Sequence, residues 1–323
     1  MEQRKKILSI LIKLLVGIGS FVIIYLRLKT DFTSEKLSLL YDSAFSNRGI
    51  LSFVFCILLI PVNWGIEAYK WMLITKPVEK ISYKTATKSV YSGVCLGNLA
   101  PGRATEFLAK IIFFKPENRS RVTVLHFVGG MFQLSITIIS GLIALLYNLN
   151  RFAGENSWMA YLASGLSLVV LIGLFLCVYN LDYILNLISK LISKKNKLEN
   201  FKYPFSGALL TKLFSFSVLR YAVFFSQMLL LISIFYGQAG LSLGPDILLY
   251  FLITTIIPMI SVLEAPIRAA IALVVFKDSG LSDTALALSS VLIWLVNIIV
   301  PSIYGYIILL QQNFNFKLSA AKK

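Results

Sequence analysis

The sequence predicts an all-α polytopic membrane protein, and three observations lead to this class. Of the 323 residues, 57% are hydrophobic and only 14% are charged, and the mean hydropathy is +0.79. A soluble domain of this composition would expose far too much apolar surface, so the water-soluble classes are excluded. Apolar stretches of about 20 residues, the length that crosses a bilayer core, recur along the chain. Between them lie shorter apolar stretches that are interrupted by proline or glycine.

Six apolar stretches are long enough to form complete crossings of a membrane. The first follows a basic amino terminus but lacks the small-residue pattern of a cleavage site, so we interpret it as an uncleaved span. The predicted crossings are 7–26, 50–74, 122–147, 159–180, 207–236 and 285–310. They organise a single integral membrane domain, 1–323, into a first span with its outer loop (1–48), a first repeat (49–147), a connecting span with an amphipathic cytoplasmic segment (148–204), a second repeat (205–310) and a cytoplasmic tail (311–323).

Each repeat also contains a pair of apolar segments that are individually too short to cross the bilayer. Paired short segments interrupted by glycine or proline in both halves of a chain are typical of re-entrant helical hairpins in an inverted repeat. The predicted hairpins are 89–114, with segments 89–100 and 104–114 broken at Pro101 and Gly102, and 247–276, with segments 247–258 and 262–276 broken at Pro258 and again at Pro266.

The orientation in the membrane follows from the basic residues, which favour cytoplasmic loops. Most of the 31 lysines and arginines fall in segments that are cytoplasmic if the amino terminus is inside. Both termini are therefore predicted to be cytoplasmic. In this arrangement the first hairpin enters from the cytoplasm and the second from outside, and the two are expected to meet near the middle of the bilayer.

Ionisable residues in the first hairpin are candidates for a functional site. An ionised side chain at the bilayer centre costs at least about 2.5 to 3.5 kcal/mol, so such residues need a reason to be there. Arg103, Glu106 and Lys110 share one face of a helix predicted to start at Gly102,. A phosphate at the amino end of that helix would meet free N–H groups, the positive end of the helix dipole and Arg103. The alternative is an internal salt bridge that holds a broken helix.

The second hairpin and two complete spans supply further polar candidates. Glu264 and Arg268 form an i, i+4 pair, and Arg220 in the fifth span can either bind an anion or pair with an acid of the second span. In the second span Asn63, Glu67 and Lys70 lie on one face. The bases predicted at membrane depth are Lys70, Arg103, Lys110, Lys212, Arg220 and Arg268, and the acids are Glu67, Glu106 and Glu264. The bases outnumber the acids. This excess of positive charge suits an anionic group such as a lipid phosphate.

Other signals point to structure rather than to chemistry. Gly93 and Gly97 have the spacing that allows close helix approach, and we interpret them as packing residues. His126 is the only histidine, and the three cysteines lie apart without metal or redox spacing,. No cofactor, metal site or nucleic-acid partner is therefore expected.

A set of motifs runs in a fixed order through nearly the whole chain. The motifs are Asn63-Trp-x4-Tyr-Lys-Trp71, Asn98-Leu-Ala-Pro-Gly-Arg-Ala-Thr-Glu106, Gly240-Leu-Ser, Pro258, Arg268 and Gly280-Leu-Ser-Asp-Thr-Ala-Leu-Ala. This order resembles the flippase-like transmembrane domain of the lysylphosphatidylglycerol synthase type. Pro101, Arg103 and Glu106 match its most specific segment, Pro-x-Arg-x-x-Glu. A second signature, Arg-Glu after a glycine-rich turn, is half kept, because Ala269 follows Arg268.

The resemblance implies a stand-alone membrane domain of the bacterial cytoplasmic (inner) membrane, without the soluble synthase part. We expect a lipid flippase or translocase rather than an enzyme. Its partners would be membrane lipids, either an anionic phospholipid or an isoprenoid phosphate carrier. The expected substrate-binding set is Arg103, Arg220 and Arg268 on the phosphate, Glu67, Glu106 and Glu264 aligning those arginines, and Asn63, Lys70 and Asn98 beside them.

Two other classes of function stay open. An isoprenoid diphosphate phosphatase-like membrane enzyme also uses opposed re-entrant hairpins, although here no nucleophilic serine follows Pro101-Gly102 and no paired carboxylates precede it,. A non-transporting regulatory membrane partner of envelope synthesis would dock through the basic cytoplasmic loops. The sequence leaves open the identity of the lipid, the direction of movement, the energy source and the formation of a homo-oligomer.

Overall fold

The computed structural model is all-helical over the residues that it describes, and the predicted all-α class is confirmed there. These residues are 18–19, 21–29, 33–98, 103–148, 205–236, 240–257, 259 and 263–312, with isolated positions between 158 and 183. The helices are α1 (Ser34–Phe45), α2 (Asn47–Thr75), α3 (Tyr83–Gly97), α4 (Glu106–Ile111), α5 (Arg119–Tyr147), α6 (Gly207–Tyr236), α7 (Gly244–Ile256), α8 (Glu264–Val275), α9 (Asp283–Trp294) and α10 (Val300–Leu310).

Four continuous helices in the described part of the chain are long and apolar enough to cross a membrane. They are Asn47–Thr75, Pro116–Tyr147, Gly207–Tyr236 and Asp283–Leu310. The last one joins α9 to α10 through a π-helical turn, Leu295–Ile299. The four coincide with the crossings predicted at 50–74, 122–147, 207–236 and 285–310, and they indicate a membrane protein. The crossing predicted at 159–180 and most of that at 7–26 lie outside the described residues.

Serine side chains set the starts of several helices. Ser46 Oγ accepts the Gly49 amide at 3.1 Å before α2, and Ser82 Oγ accepts the Thr85 amide at 3.1 Å before α3. Each bond satisfies one of the amides that the first turn leaves without an intrahelical partner. The loop after α2 is tied to the turn before α5, because the Glu79 carboxylate accepts from the Asn118 side chain at 2.8 Å.

The segments predicted as hairpins are occupied by four helices that are each too short to cross a bilayer. They are α3 with 15 residues, α4 with 6, α7 with 13 and α8 with 12. Helix α4 begins at Glu106 and not at Gly102 as predicted, because Arg103 has a left-handed backbone with φ 57°,. The predicted interruptions Pro101, Gly102 and Pro258 lie outside the described residues.

The break predicted at Pro266 is not observed. Pro266 lies in the first turn of α8, and the helix runs on through it from Glu264 to Val275. A first-turn amide has no partner within the helix, so a proline there removes no intrahelical hydrogen bond.

The helices pack in pairs around one apolar core, and three of the four main pairs join helices that are distant in the sequence. Helix α2 packs along α6, α3 along α10, α5 along α7, and α8 along α9. Two of these pairs approach closely at a glycine: a Cβ at Gly305 in α10 would overlap the carbonyl oxygen of Tyr91, and one at Gly141 in α5 would overlap Leu252. Small residues at such crossings let helix backbones come together.

Helix α4 is held against α2 and α3 by a chain of hydrogen bonds. Trp71 Nε1 donates to Ser89 Oγ at 2.9 Å, and Ser89 Oγ donates to the carbonyl oxygen of Lys110 at 3.0 Å. A Cβ at Gly93 would lie 2.9 Å from Lys110 Cγ, and one at Gly97 would lie 3.1 Å from Glu106 Cβ. The predicted packing role of the two glycines is confirmed, because they make room for the charged side chains of α4.

Candidate functional site

Charged side chains from α2, α4 and α6 meet in one cluster inside the helix assembly. Glu67 is its hub: its carboxylate lies 3.2 Å from Arg220 Nη1, 3.4 Å from Lys70 Nζ and 3.8 Å from Lys110 Nζ. Lys110 Nζ also lies 2.8 Å from Glu106. One carboxylate therefore pairs with cations that come from three different helices.

The Glu106 carboxylate extends the ion-pair cluster to the turn before α4. Its second oxygen lies 3.2 Å from Arg103 Nε. The Arg103 side chain is 38% exposed, whereas that of Glu106 is 15% exposed. Arg103 is thus the member of the cluster that is most open to an approaching ligand.

The cations of the cluster also make cation–π contacts with aromatic rings. The guanidinium carbon of Arg220 lies 4.9 Å from the centre of the Trp64 ring, and that of Arg103 lies 6.0 Å from the same ring. Lys110 Nζ lies 5.1 Å from the Trp71 ring. A cation over an aromatic face is attracted by the quadrupole of the ring, so the two tryptophans help to hold cations in a water-poor interior.

The cluster forms the wall of a cavity of about 480 Å³. Four basic side chains line it, Lys70, Arg103, Lys110 and Arg220, against the two acids Glu67 and Glu106. Lys70 and Lys110 are each only 2% exposed, and Arg220 is 8% exposed. Because an excess of buried positive charge is costly unless it is paired, this larger cavity is suited to an anion.

A smaller cavity of about 220 Å³ adjoins the larger one. Arg103 and Arg220 line both cavities, together with Trp64, Gln133, Thr137 and Thr255. Arg268 of α8 lines the smaller cavity, and its Nη2 donates to Glu264 Oε1 at 2.7 Å. The structure therefore brings three predicted arginines, from the two predicted hairpins and the α6 span, to the wall of one cavity.

Two asparagines connect α6 to the final long helix behind these cavities. Arg220 Nε donates to Asn63 Oδ1 at 2.9 Å, and Asn63 Nδ2 donates to Asn297 Oδ1 at 2.8 Å. Asn63 and Asn297 are 0% and 3% exposed. Asn297 lines the smaller cavity, while Asn63 acts through its two partners.

The structure assigns different places to the remaining predicted residues. Glu264 does not line either cavity and reaches the smaller one only through Arg268. Asn98 ends α3 as its C-cap residue and lines neither cavity. Lys212 lies on the exposed face of α6, away from both cavities. Lys110, by contrast, is a central member of the cluster.

Sequence analysis missed Asn297, and it placed His126 among structural residues although His126 lines the larger cavity. A lone asparagine within the apolar stretch 285–310 was the available signal for Asn297. Its direction depends on the π-helical turn Leu295–Ile299, which shifts the helical face by an amount that the sequence pattern does not reveal. Gln133 and Trp294 also line the smaller cavity. They lie on helices that are far apart in the sequence, so the pattern within one helix does not predict that they share a cavity.

The chemistry available in the cavities is the binding of an oxyanion. Guanidinium groups give directed, charge-assisted hydrogen bonds to phosphate or carboxylate oxygens. No protein-family model matches the chain, and the comparison with curated proteins yields no match. The functional conclusion therefore depends on the geometry of the two cavities.

Proposed function

We propose that this protein binds the phosphate of an anionic lipid in its two adjoining cavities and moves the lipid across the bilayer. The observation that carries the proposal is the convergence of Arg103, Arg220 and Arg268 on one cavity among helices that are apolar enough to span a membrane. Ionisable residues at membrane depth usually mark a substrate pathway, because their burial in lipid is expensive. A phosphate would offset the excess of positive charge around the two cavities.

The proposed topology has six complete crossings and two re-entrant hairpins, related as an inverted repeat. Helices α3 and α7, with 15 and 13 residues, reach only about 20 Å at 1.5 Å per residue, which falls short of a hydrocarbon core of about 30 Å. This supports re-entrant segments. The distribution of basic residues supports cytoplasmic termini in a bacterial inner membrane, and the motif order supports a flippase-like domain of the lysylphosphatidylglycerol synthase type.

In the proposed mechanism each arginine pairs with a carboxylate until the phosphate of a lipid headgroup takes the place of that carboxylate. In the described part of the chain, Arg103 pairs with Glu106, Arg220 with Glu67 and Arg268 with Glu264. A phosphate that enters the cavity competes with the carboxylate for hydrogen bonds from the guanidinium group. The ion pair between arginine and carboxylate forms again when the lipid leaves. The acyl chains stay in the hydrocarbon region while the headgroup crosses, so the desolvated charge is always paired.

Lipid movement in proteoliposomes tests the proposal. The purified protein is reconstituted with a fluorescent phosphatidylglycerol, and the fraction of label protected from an impermeant reductant is followed with time. Arg220→Gln and Arg103→Ala are expected to slow movement at least about tenfold, because each removes a charge-assisted hydrogen bond worth about 1.5–3 kcal/mol. Lys212→Gln is the matched control, since it removes one positive charge from the exposed face of the same helix α6.

Movement that is unchanged in both arginine variants would contradict the proposed role of the cavities. Equal loss in Lys212→Gln would show that overall charge, rather than the cavities, matters. Release of inorganic phosphate from an isoprenoid diphosphate by the purified protein would favour the phosphatase alternative instead.

A further inference from the structure

The two adjoining cavities differ in whether carboxylates line them beside the basic residues. The larger cavity contains both carboxylates, Glu67 and Glu106, beside its four basic residues. Among the described residues that line the smaller cavity there are three arginines and no carboxylate. An oxyanion in the larger cavity would approach two like charges, whereas in the smaller one it would not. Electrostatics therefore favour the smaller cavity for the charged oxygens.

The hydrogen-bond chain through the two asparagines fixes which group of the Asn297 amide is left without a partner. Arginine has donors and no acceptor, so Asn63 must turn its oxygen toward Arg220 Nε, 2.9 Å away,. The Asn63 amide nitrogen then faces Asn297 at 2.8 Å, and Asn297 must accept with its oxygen. The NH₂ group of Asn297 is left over, and it has no hydrogen-bond partner among the described residues.

Other donors at the smaller cavity have no protein acceptor either. The indole N–H groups of Trp64 and Trp294 and the Nη2 amino group of Arg103 are buried without a hydrogen-bond partner in the described part of the chain, and all three residues line this cavity. Buried donors are normally satisfied. Unsatisfied donors on residues that share one cavity with three arginines are the pattern expected for a ligand rich in acceptor oxygens.

The backbone of the last long helix is shaped to place Asn297 in this set. The turn Leu295–Ile299 is π-helical, between α9 and α10. Such turns inside α-helices are uncommon and frequently lie at functional sites, because they re-aim one side chain without ending the helix. Here the re-aimed side chain is an amide that is 3% exposed.

We infer that the smaller cavity is the subsite for the phosphate oxygens of the lipid headgroup, and that Asn297 donates directly to them. This inference rests on the proposed function and deepens it. The hydrogen bonds from Arg220 to Asn63 and from Asn63 to Asn297 fix the orientation of the Asn297 side-chain amide. Asn63 is therefore a positioning residue for both Arg220 and Asn297. The larger cavity holds Glu106 and Glu67, which pair with Arg103 and Arg220 when the phosphate is absent. Glu264 pairs with Arg268 from outside both cavities.

Binding of short-chain lipids to the full-length protein in detergent tests the inference. The probes are dioctanoyl phosphatidic acid, dioctanoylglycerol, which has the same chains without phosphate, and inorganic phosphate. Asn297→Asp keeps the oxygen that accepts from Asn63 and replaces the NH₂ donor by negative charge. We expect it to weaken phosphatidic acid binding at least about tenfold, while wild-type protein binds phosphatidic acid much more tightly than either other probe.

A second pair of variants separates loss of the donor from loss of a buried amide. Asn297→Leu removes the donor at the cavity. Gln227→Leu removes a comparable buried amide on α6, whose Nε2 donates to the Cys56 carbonyl at 3.2 Å outside both cavities. Weakened binding in Asn297→Leu together with unchanged binding in Gln227→Leu supports the inference. Thermal unfolding of each variant establishes that it is folded, and Trp294→Phe, which removes one indole N–H, provides a third probe of the same cavity.

The outcomes that overturn the inference differ from those that overturn the proposed function. If both Asn297 variants and Trp294→Phe bind phosphatidic acid as the wild type does, while Arg220→Gln does not, the phosphate lies outside the smaller cavity and the proposed function stands. If inorganic phosphate binds as tightly as phosphatidic acid, the cavity takes free phosphate and not a lipid headgroup. If the wild type does not bind phosphatidic acid, the proposed function itself fails.

Discussion

Arg220 on α6 donates its Nε hydrogen to Oδ1 of Asn63 on α2, with 2.9 Å between the two atoms. The bond joins the two helices that pack most extensively in the described part of the chain. It also orients the guanidinium, so that Nη1 lies 3.2 Å from Glu67 and the guanidinium carbon lies 4.9 Å from the Trp64 ring centre. Arg220 lines both cavities, so these contacts hold its guanidinium in place at the proposed ligand site.

The Arg220–Asn63 bond is expected to contribute to stability as well as to binding. Asn63→Leu leaves Arg220 Nε and Asn297 Oδ1 without partners, and each buried unsatisfied group costs about 1–3 kcal/mol. We expect a lower free energy of unfolding, measured by denaturant titration in detergent. A double-mutant cycle with Arg220→Gln isolates the pair, and a coupling energy near zero would show that the two residues act independently.

Glu67→Gln is expected to destabilise the protein more than any single change of its partners. The substitution leaves Arg220, Lys70 and Lys110 buried with less negative charge, and removal of one member of a buried ion pair typically costs about 3–5 kcal/mol. The measurement is the midpoint of thermal unfolding in detergent. Lys70→Gln provides the comparison, because it removes one cation and leaves the carboxylate two other partners. A smaller loss in Glu67→Gln than in Lys70→Gln would contradict the role of Glu67 as hub.

The left-handed backbone of Arg103 allows stability and function to be separated. With φ at 57°, a residue with a Cβ is strained by roughly 1–2 kcal/mol compared with glycine. Arg103→Gly should therefore be more stable than Arg103→Ala by about 1 kcal/mol, offset in part by the greater flexibility of glycine in the unfolded chain.

Both Arg103 variants should lose lipid movement to the same extent, because both lack the guanidinium. Unfolding and transport measured on the same preparations check the two expectations. Transport that recovers in the more stable glycine variant would show that Arg103 acts through the backbone and not through its charge.

The crossing of α3 and α10 is expected to tolerate no side chain at Gly305. A Cβ there would overlap the Tyr91 carbonyl oxygen, which belongs to the backbone and cannot turn away. Gly305→Ala should separate the helices and lower the unfolding midpoint. Gly130→Ala on α5 is the control, because nothing lies within 4 Å of the added Cβ and alanine favours the helix by up to about 1 kcal/mol. Equal effects of the two changes would mean that the crossing is looser than the structure indicates.

The apolar pattern alone predicted the four long described helices to within a few residues. Residues 207–236 were predicted as a span, and α6 is Gly207–Tyr236. This agreement has a local cause, since an uninterrupted apolar stretch can satisfy its backbone in lipid only as a helix. The starts of short helices were predicted less well. Helix α4 begins at Glu106 because Arg103 is left-handed, and nothing in the identity of an arginine signals that conformation.

The sequence by itself determined the membrane-protein class, the long helices and the charged residues Glu67, Arg103, Glu106, Arg220 and Arg268 as candidates, because composition, apolar length and the cost of buried charge are local properties. Only the tertiary structure decided which charges share a cavity, that Lys110 belongs to the cluster and Lys212 does not, and that Asn297 lines the same cavity as the three arginines. These outcomes depend on contacts between residues far apart in the chain, such as the bond between Asn63 and Asn297. Helical periodicity within one segment cannot specify which segment lies opposite.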